Sequence, residues 1–179
     1  MKKIILTAAA VFAFSFANAQ ENIIKANPLS ILGGTDLLSF EHKVGDHTSA
    51  LLGLGYGGFS IGGAKYTNMG AEVQYRYYFD ESLKGFYGGG QIGYSFGKVT
   101  MDDLFAGTTL ATGSTDTKFS ALKVGAKGGY QWVWDSGFSL DLNLGLAFNN
   151  FKYADENSSI GLKASGVLPN FGFGLGYAF

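Results

Sequence analysis

Apolar and small-or-polar residues alternate with a period of two along most of this chain. In "FSLDLNLGLAFN", Phe138, Leu140, Leu142, Leu144, Leu146 and Phe148 fall on one face, and Ser139, Asp141, Asn143, Gly145, Ala147 and Asn149 fall on the other. The same pattern runs through "LKVGAKGGYQWVW", "GAEVQYRYYF", "GFYGGGQIGYSF" and "NFGFGLGYAF", and more briefly through "ALLGLGY" and "LLSFEH". Period two over such stretches predicts strands with two unlike faces. An eighth, weaker segment, "NIIKANPLSIL", holds Pro28 inside it, which suits an edge or a bulge.

The connections predicted between these segments alternate in length. Positions 45–48, 80–84 and 135–137 read as tight turns rich in Asp and Gly. At the opposite end, 99–118 and 154–169 read as long loops and 59–66 as an intermediate one, while 33–35 is short and breaks the pattern. Short turns on one rim and longer loops on the other are the layout of an up-and-down transmembrane barrel. The fold expected is therefore all-β, an eight-stranded antiparallel up-and-down transmembrane β-barrel over residues 20–179.

Volume decides which face points inward. Eight strands enclose a lumen only just wide enough to be filled by side chains. The bulky apolar faces cannot all fit there; the Gly, Ala, Ser, Asn and Gln faces can. The apolar faces are thus expected to meet lipid, which disfavours the main rival reading, a soluble lipocalin-like binder. In lipid a sheet must also close on itself to satisfy its backbone. Tyr77, Phe79, Phe86, Trp132, Trp134, Phe138, Tyr177 and Phe179 all lie beside the short-turn rim and are expected to form an interfacial aromatic girdle. Gly88 and Gly90 fall opposite Tyr77 and Tyr75 if the turn at Asp80 sets the register, an arrangement similar to aromatic rescue of strand glycine.

Composition sharpens this picture. The chain has 28 Gly, 16 Phe and 10 Tyr but only 2 Pro, a balance that suits Gly/aromatic-patterned β structure rather than disorder. Residues 1–19, "MKKIILTAAAVFAFSFANA", carry Lys2 and Lys3, an apolar run too short to span a bilayer as a helix, and an Ala-Asn-Ala end. They read as a secretory signal peptide, with cleavage before Gln20. Setting Lys2 and Lys3 aside leaves eleven basic residues against fourteen acidic, a net charge of −3, so no nucleic-acid surface is expected. With zero Cys there is neither a disulfide framework nor a thiolate metal site.

Alternation points seven charged residues into the lumen: Lys25, Glu41, Glu72, Arg76, Lys123, Lys127 and Asp141. Four are basic and three acidic, so they can nearly neutralise one another in a network that fills the core. A narrow passive pore for ions or small solutes is the alternative reading of the same charges. "GLGYGG" places Gly53, Gly55 and Gly58 in a G-x-G-x-x-G spacing, but strand pattern lies on both sides where a dinucleotide needs a strand-to-helix turn, so the match reads as chance. His42 and His47 lack the spacing of a metal set, and His42 is expected as an interfacial polar residue at the short-turn rim. Asp102, Asp103, Asp116, Asp155 and Glu156 make the long loops acidic, as solvated loops are; divalent-cation binding is a weaker alternative, since their spacing matches no cation-loop motif. The sequon at Asn157 carries no weight. No catalytic residue, metal or cofactor is expected.

"NPLSILGG", "GYQWVWDSGFSLDLNLG" and "LPNFGFGLGYAF" resemble an uncharacterised family of short outer-membrane barrel proteins of Gram-negative bacteria. The chain from Gln20 onward also resembles the small OmpA-type and OmpX-type barrels. These resemblances imply an outer-membrane location and no established activity. The alternating strand ending at Phe179 resembles the C-terminal signal by which the barrel-assembly machinery recognises its clients, so that machinery and outer-membrane lipid are the partners implied. The function expected is structural, or surface interaction with an unknown extracellular partner through the loops. A lipid-modifying enzyme is a further alternative that lacks a His–Ser–acid cluster.

Overall fold

The computed structural model describes residues 20–30, 35–61, 64–101, 115–155 and 162–179. Its strands are β1 (Asn22–Ala26), β2 (Leu38–Gly45), β3 (Thr48–Ile61), β4 (Ala64–Tyr78), β5 (Gly85–Met101), β6 (Thr115–Val133), β7 (Phe138–Asp155) and β8 (Leu162–Ala178). Each pairs antiparallel with the next, and β8 pairs with β1, so the sheet is a closed eight-stranded barrel. The signal-peptide segment, 1–19, lies outside the described residues, as do Asp102, Asp103, Glu156 and Asn157.

The register fixes the barrel's geometry. A path of directly opposed residues leaves β8 at Leu175 and passes through Ala26, Leu38, Leu54, Ala71, Tyr94, Leu122 and Asn150. It returns to β8 at Ser165, ten residues from where it began. For eight strands that stagger corresponds to a tilt of about 40°, so each residue climbs about 2.5 Å along the barrel axis.

Alternation is realised in three dimensions as expected. Tyr75, Ile92, Leu144, Leu146 and Phe171 are exposed on the outside. Glu41, Glu72, Arg76, Gln131 and Asp141 are buried inside. The glycines of β8 serve the crowded lumen: a Cβ on Gly176 would stand 2.6 Å from the Lys25 stem and 2.7 Å from Ser139 Oγ.

Four details differ from the sequence-based expectation. First, Pro28 is not inside a strand. β1 stops at Ala26, and the first far-end connection is 27–37, long rather than short. Of its described residues, Asn27, Ser30 and Thr35 are buried. Second, β5, β6, β7 and β8 run well past their apolar alternation, shrinking the two long connections to 102–114 and 156–161. Backbone pairing continues where the side chains have become polar, so the hydropathy pattern ended before the ladder did. Third, Gly88 and Gly90 do oppose Tyr77 and Tyr75, but a Cβ on either glycine would meet nothing within 4 Å. The tyrosine rings do not cover them, so aromatic rescue does not occur.

Fourth, the short first hairpin leaves the wall uneven. Above Leu175 and Leu54, β8 and β3 have no ladder partner in β1 or β2. There β3 at Phe59, Ser60 and Ile61, and β8 at Ala164, Ser165, Val167, Leu168 and Pro169, are exposed whichever way the side chain points. Pro169 sits in β8 because of this edge. Phe179 N donates to Asn22 O, and Ala178 N donates to Gly137 O, so odd-numbered donors of β8 face β1 and even-numbered ones face β7. The donor that Pro169 lacks would point at the open edge, where nothing needs it.

At the short-turn end the 79–84 turn folds over the mouth of the lumen. Ser82 N donates to Asp46 O at 2.8 Å, and Ser82 Oγ donates to Thr48 O at 2.8 Å. Leu83, at φ 72°, turns its side chain into the barrel against Ile23, Ala178 and Val133. It is 3% exposed and acts as a stopper.

Candidate functional site: a charged lumen and two belts on the wall

The seven lumen charges form two tiers. In the lower tier, near the short-turn end, Lys25 and Arg76 face Glu41 and Asp141. Lys25 Nζ lies 2.5 Å from Glu41 Oε2 and 2.9 Å from Asp141 Oδ2. Arg76 Nη1 lies 2.7 Å from Asp141 Oδ2 and 3.2 Å from Glu41 Oε2. Two positive and two negative charges alternate around one point, so the quartet is neutral. Its remaining lone pairs are used as well. Tyr78 OH donates to Glu41 Oε1 at 2.7 Å, Tyr87 OH donates to Asp141 Oδ1 at 2.8 Å, and Ser49 Oγ donates to Glu41. The Arg76 guanidinium also lies 4.3 Å from the centre of the Tyr87 ring. Gln131 ties the quartet to the stopper: its Oε1 accepts from Lys25 Nζ at 2.7 Å, and its Nε2 donates to Leu83 O at 2.7 Å. Charges this deeply buried are tolerable only when so thoroughly paired.

The upper tier is centred on Glu72, which receives Lys127 Nζ at 3.2 Å and Lys123 Nζ in a closer contact. Gln74 joins the tiers, donating to Glu72 Oε1 at 2.5 Å and accepting from Arg76 Nε at 2.9 Å. Thr35, of the 27–37 connection, rests on this tier. Thr35 Oγ1 donates to Glu72 Oε2 at 3.3 Å and accepts from Lys123 Nζ at 3.1 Å. Asp36 N donates to Ser30 Oγ at 3.1 Å, and Asn27 Nδ2 donates to Asp36 Oδ2 at 3.1 Å. Higher in the lumen, rings from three strands stack: Tyr66 on Phe119 at 5.5 Å between centroids, and Phe119 by Tyr153 at 6.4 Å. Gly97 makes room for this layer, since a Cβ there would lie 2.7 Å from the Phe119 ring.

Sequence reasoning found the charges but not their partners. Tyr78, Tyr87, Gln131 and Ser49 sit on the inward face by the same alternation, and a count of inward donors would have found them. Leu83 had one signal, being the only apolar residue in the turn "DESLKG". Thr35 had none.

Outside, the eight residues of the expected girdle cluster at the short-turn end. Tyr77, Phe79, Phe86, Trp134, Phe138 and Tyr177 are exposed; Trp132 and Phe179 are half-buried. His42 lies in the same row, with Nδ1 2.8 Å from Asn22 Oδ1 and its ring stacked 6.5 Å from Phe40. His47, in the turn between β2 and β3, stacks on Tyr77 at 5.9 Å. A second row, not foreseen from the sequence, runs across β4, β5, β6 and β7 near their far ends: Lys65, Lys98, Lys118 and Lys152, all at outward positions. Lys65 and Lys98 stand twelve residues above Tyr77 and Phe86; Lys118 and Lys152 stand fourteen above Trp132 and Phe138. At about 2.5 Å of climb per residue the rows are about 30–35 Å apart, and the stagger brings the four lysines to one level within about 5 Å. Between the rows no outward position of β4, β5, β6 or β7 is charged. Gly53, Gly55 and Gly58 lie within β3, so no helix follows the motif. Among the described residues no His, Asp or Glu cluster is arranged to hold a metal ion.

The fold and this interior define a small closed β-barrel with a filled, charge-paired lumen. Residues 4–163 match the family described as "Protein of unknown function (DUF3575)", and the chain belongs to it. No curated protein matches the chain. Among solved structures it is similar to the translocator domain of autotransporter NalP from Neisseria meningitidis, at 16% identity and a TM-score of 0.41, over 97% of this chain and 68% of that one.

Proposed function

We propose that this chain is an integral outer-membrane barrel, exported by residues 1–19, with a structural role and with surface interaction through its far-end connections. The observation that carries the reading is the uncharged apolar band between an aromatic row and a lysine row about 30–35 Å apart, close to the ~30 Å hydrocarbon thickness of a bilayer. Aromatic rings suit one headgroup boundary and lysines the other. The short-turn end then faces the periplasm, and the far ends of the strands face outward. This is the arrangement of the small OmpA-type and OmpX-type barrels. The barrel-assembly machinery reads β8, whose rings alternate with glycine up to Phe179.

The role is not catalytic in this reading. A lipid-modifying site would need its histidine at the far end, and both histidines sit at the other. A passive pore is disfavoured by Leu83, the quartet and Thr35 on Glu72, which stand one above another in the lumen.

The test is a comparison of boiled and unboiled protein from fractionated cells. A mobility shift confined to outer-membrane protein supports the reading, and intact mass should begin at Gln20. Soluble periplasmic protein without a shift overturns it.

A further inference from the structure

We infer that the far half of the lumen, beside the open edge, binds a small aromatic molecule carrying a hydrogen-bonding group of the phenol type. The inner face of β8 changes character along its length. At Gly176 an added Cβ would crowd the Lys25 stem at 2.6 Å, but at Gly166, on the same face, it would meet nothing within 4 Å. Leu168, also at an inward position, is 48% exposed. Space therefore opens where β8 passes Gly166. Rings line the opposite wall at this level. Phe59 opposes Tyr66 in the ladder, and Phe119 opposes Tyr153, all at inward positions. Phe59 and Tyr66 lie 5.2 Å apart between centroids, and Phe151 continues the row 6.1 Å from Tyr153. Such a wall offers ring faces and edges to a flat apolar guest. Polar atoms without partners stand at its foot. Asn68 is 3% exposed and gives Nδ2 to Tyr66 OH, but among the described residues nothing donates to its Oδ1. Asn170, two residues below Leu168 on β8, has a partner for neither amide atom. Orphaned amides in a dry lumen are costly, and a guest's hydroxyl would relieve them.

The uneven wall gives this space a side opening. β1 and β2 pair only as far as Ala26 and Leu38. Leu38 stands four residues, about 10 Å, above His42 in the aromatic row, so the gap rises from there through the apolar band. With two strands missing, the axes of β3 and β8 stand about 14 Å apart across it. Phe59 on β3 and Leu168 on β8 flank the gap, both exposed. The described end of the 27–37 connection stays low: Asp36 Cβ would lie 3.0 Å from a Cβ on Gly53, and Thr35 sits on Glu72. That tier floors the space, so it is a dead end and not a passage. Pro169 lacks the donor that an added strand would need on this edge, so a further β-strand is not the occupant. Resting on the membrane reading, the opening faces hydrocarbon, and the guest is a molecule that dissolves in the bilayer.

The experiment photolabels the protein from Gln20, folded in detergent micelles, with para-hydroxybenzophenone or with benzophenone, which lacks the hydroxyl. Labelled residues are located by peptide mass spectrometry. Para-hydroxybenzophenone should mark inward Tyr66, Phe119 and Leu168. Excess para-phenylphenol should suppress those labels and leave the labels on outward Phe96 and Leu144. Benzophenone should mark the inward residues about tenfold less. Gly166→Trp puts an indole into the empty space and should abolish inward labelling, with the heat-dependent mobility shift unchanged. Asn170→Leu removes an unpartnered amide at nearly constant volume and should lower inward labelling about tenfold. If Gly166→Trp fails to fold, the competition and Asn170→Leu still decide. Inward labelling that is absent, or that para-phenylphenol does not suppress, overturns the inference and leaves the membrane reading intact. Equal inward labelling by both probes, or no effect of Asn170→Leu, overturns the phenol-type guest in favour of a plain apolar one such as an acyl chain. Absence of the mobility shift in the unmodified protein removes the membrane reading itself.

Discussion

Leu83 is a non-glycine residue at φ 72°, a conformation that costs an L side chain about 1–2 kcal/mol. It is kept because its side chain closes the lower mouth against Ile23 and Ala178. Two substitutions separate the terms. Leu83→Ala keeps the backbone cost and loses the stopper, so it should destabilise by about 2–4 kcal/mol. Leu83→Gly loses the same packing but relieves the backbone, so it should cost about 1 kcal/mol less than the alanine. Urea unfolding from vesicles reads both; a glycine variant less stable than the alanine one would contradict the strained turn. Asp141 presents a second contrast. Asp141→Asn leaves Lys25 and Arg76 sharing Glu41 alone in a dry site, and should cost about 3–5 kcal/mol. Lys123→Gln should cost about 1 kcal/mol or less. Lys123 is 19% exposed where Asp141 is 3%, and Glu72 keeps Lys127 when Lys123 is gone.

At the level of the strand, β8 shows which parts of this fold were legible. Its alternation of Phe171, Phe173, Leu175 and Tyr177 with glycines stated the strand, its two faces and the crowding inside. The same rule placed all seven lumen charges inward. Periodicity could not show that β8 continues to Leu162, because beyond Pro169 the side chains no longer alternate in polarity while the backbone still pairs with β7. Nor could it show that the first hairpin stops early, since Pro28 and Leu29 continue an apolar run past the last residue of β1. The lysine row was missed for a related reason: its members are spread over four strands, and only the stagger aligns them. The open edge makes a prediction for the same strand. Phe171 N–H points toward the side where β1 has ended, and Gly172 N–H points into the β7 ladder. In detergent micelles, amide exchange at Phe171 should be much faster than at Gly172. Equal protection would mean that the first hairpin extends upward and closes the wall.

For the whole molecule, the order of the obstacles along the axis governs what can pass. An ion entering from the short-turn end meets the Leu83 stopper, then a neutral quartet that fills its own coordination, then Glu72 bridged to Lys123 and Lys127 under Thr35. The quartet offers little to a mobile ion, because each carboxylate oxygen already accepts from a cation or a hydroxyl. Widening one obstacle should therefore not open the barrel. In planar bilayers the protein should be electrically silent, and Leu83→Ala should be silent too, since the quartet still crosses the lumen behind it. Adding Arg76→Ala to Leu83→Ala removes the side chain that reaches across to β2 and β7, and leaves two carboxylates sharing Lys25. This variant alone should show brief, cation-selective openings, its stability checked by the heat-dependent mobility shift. Steady conductance from the unmodified protein would instead make the lumen a pathway, and the passive pore would replace the structural role.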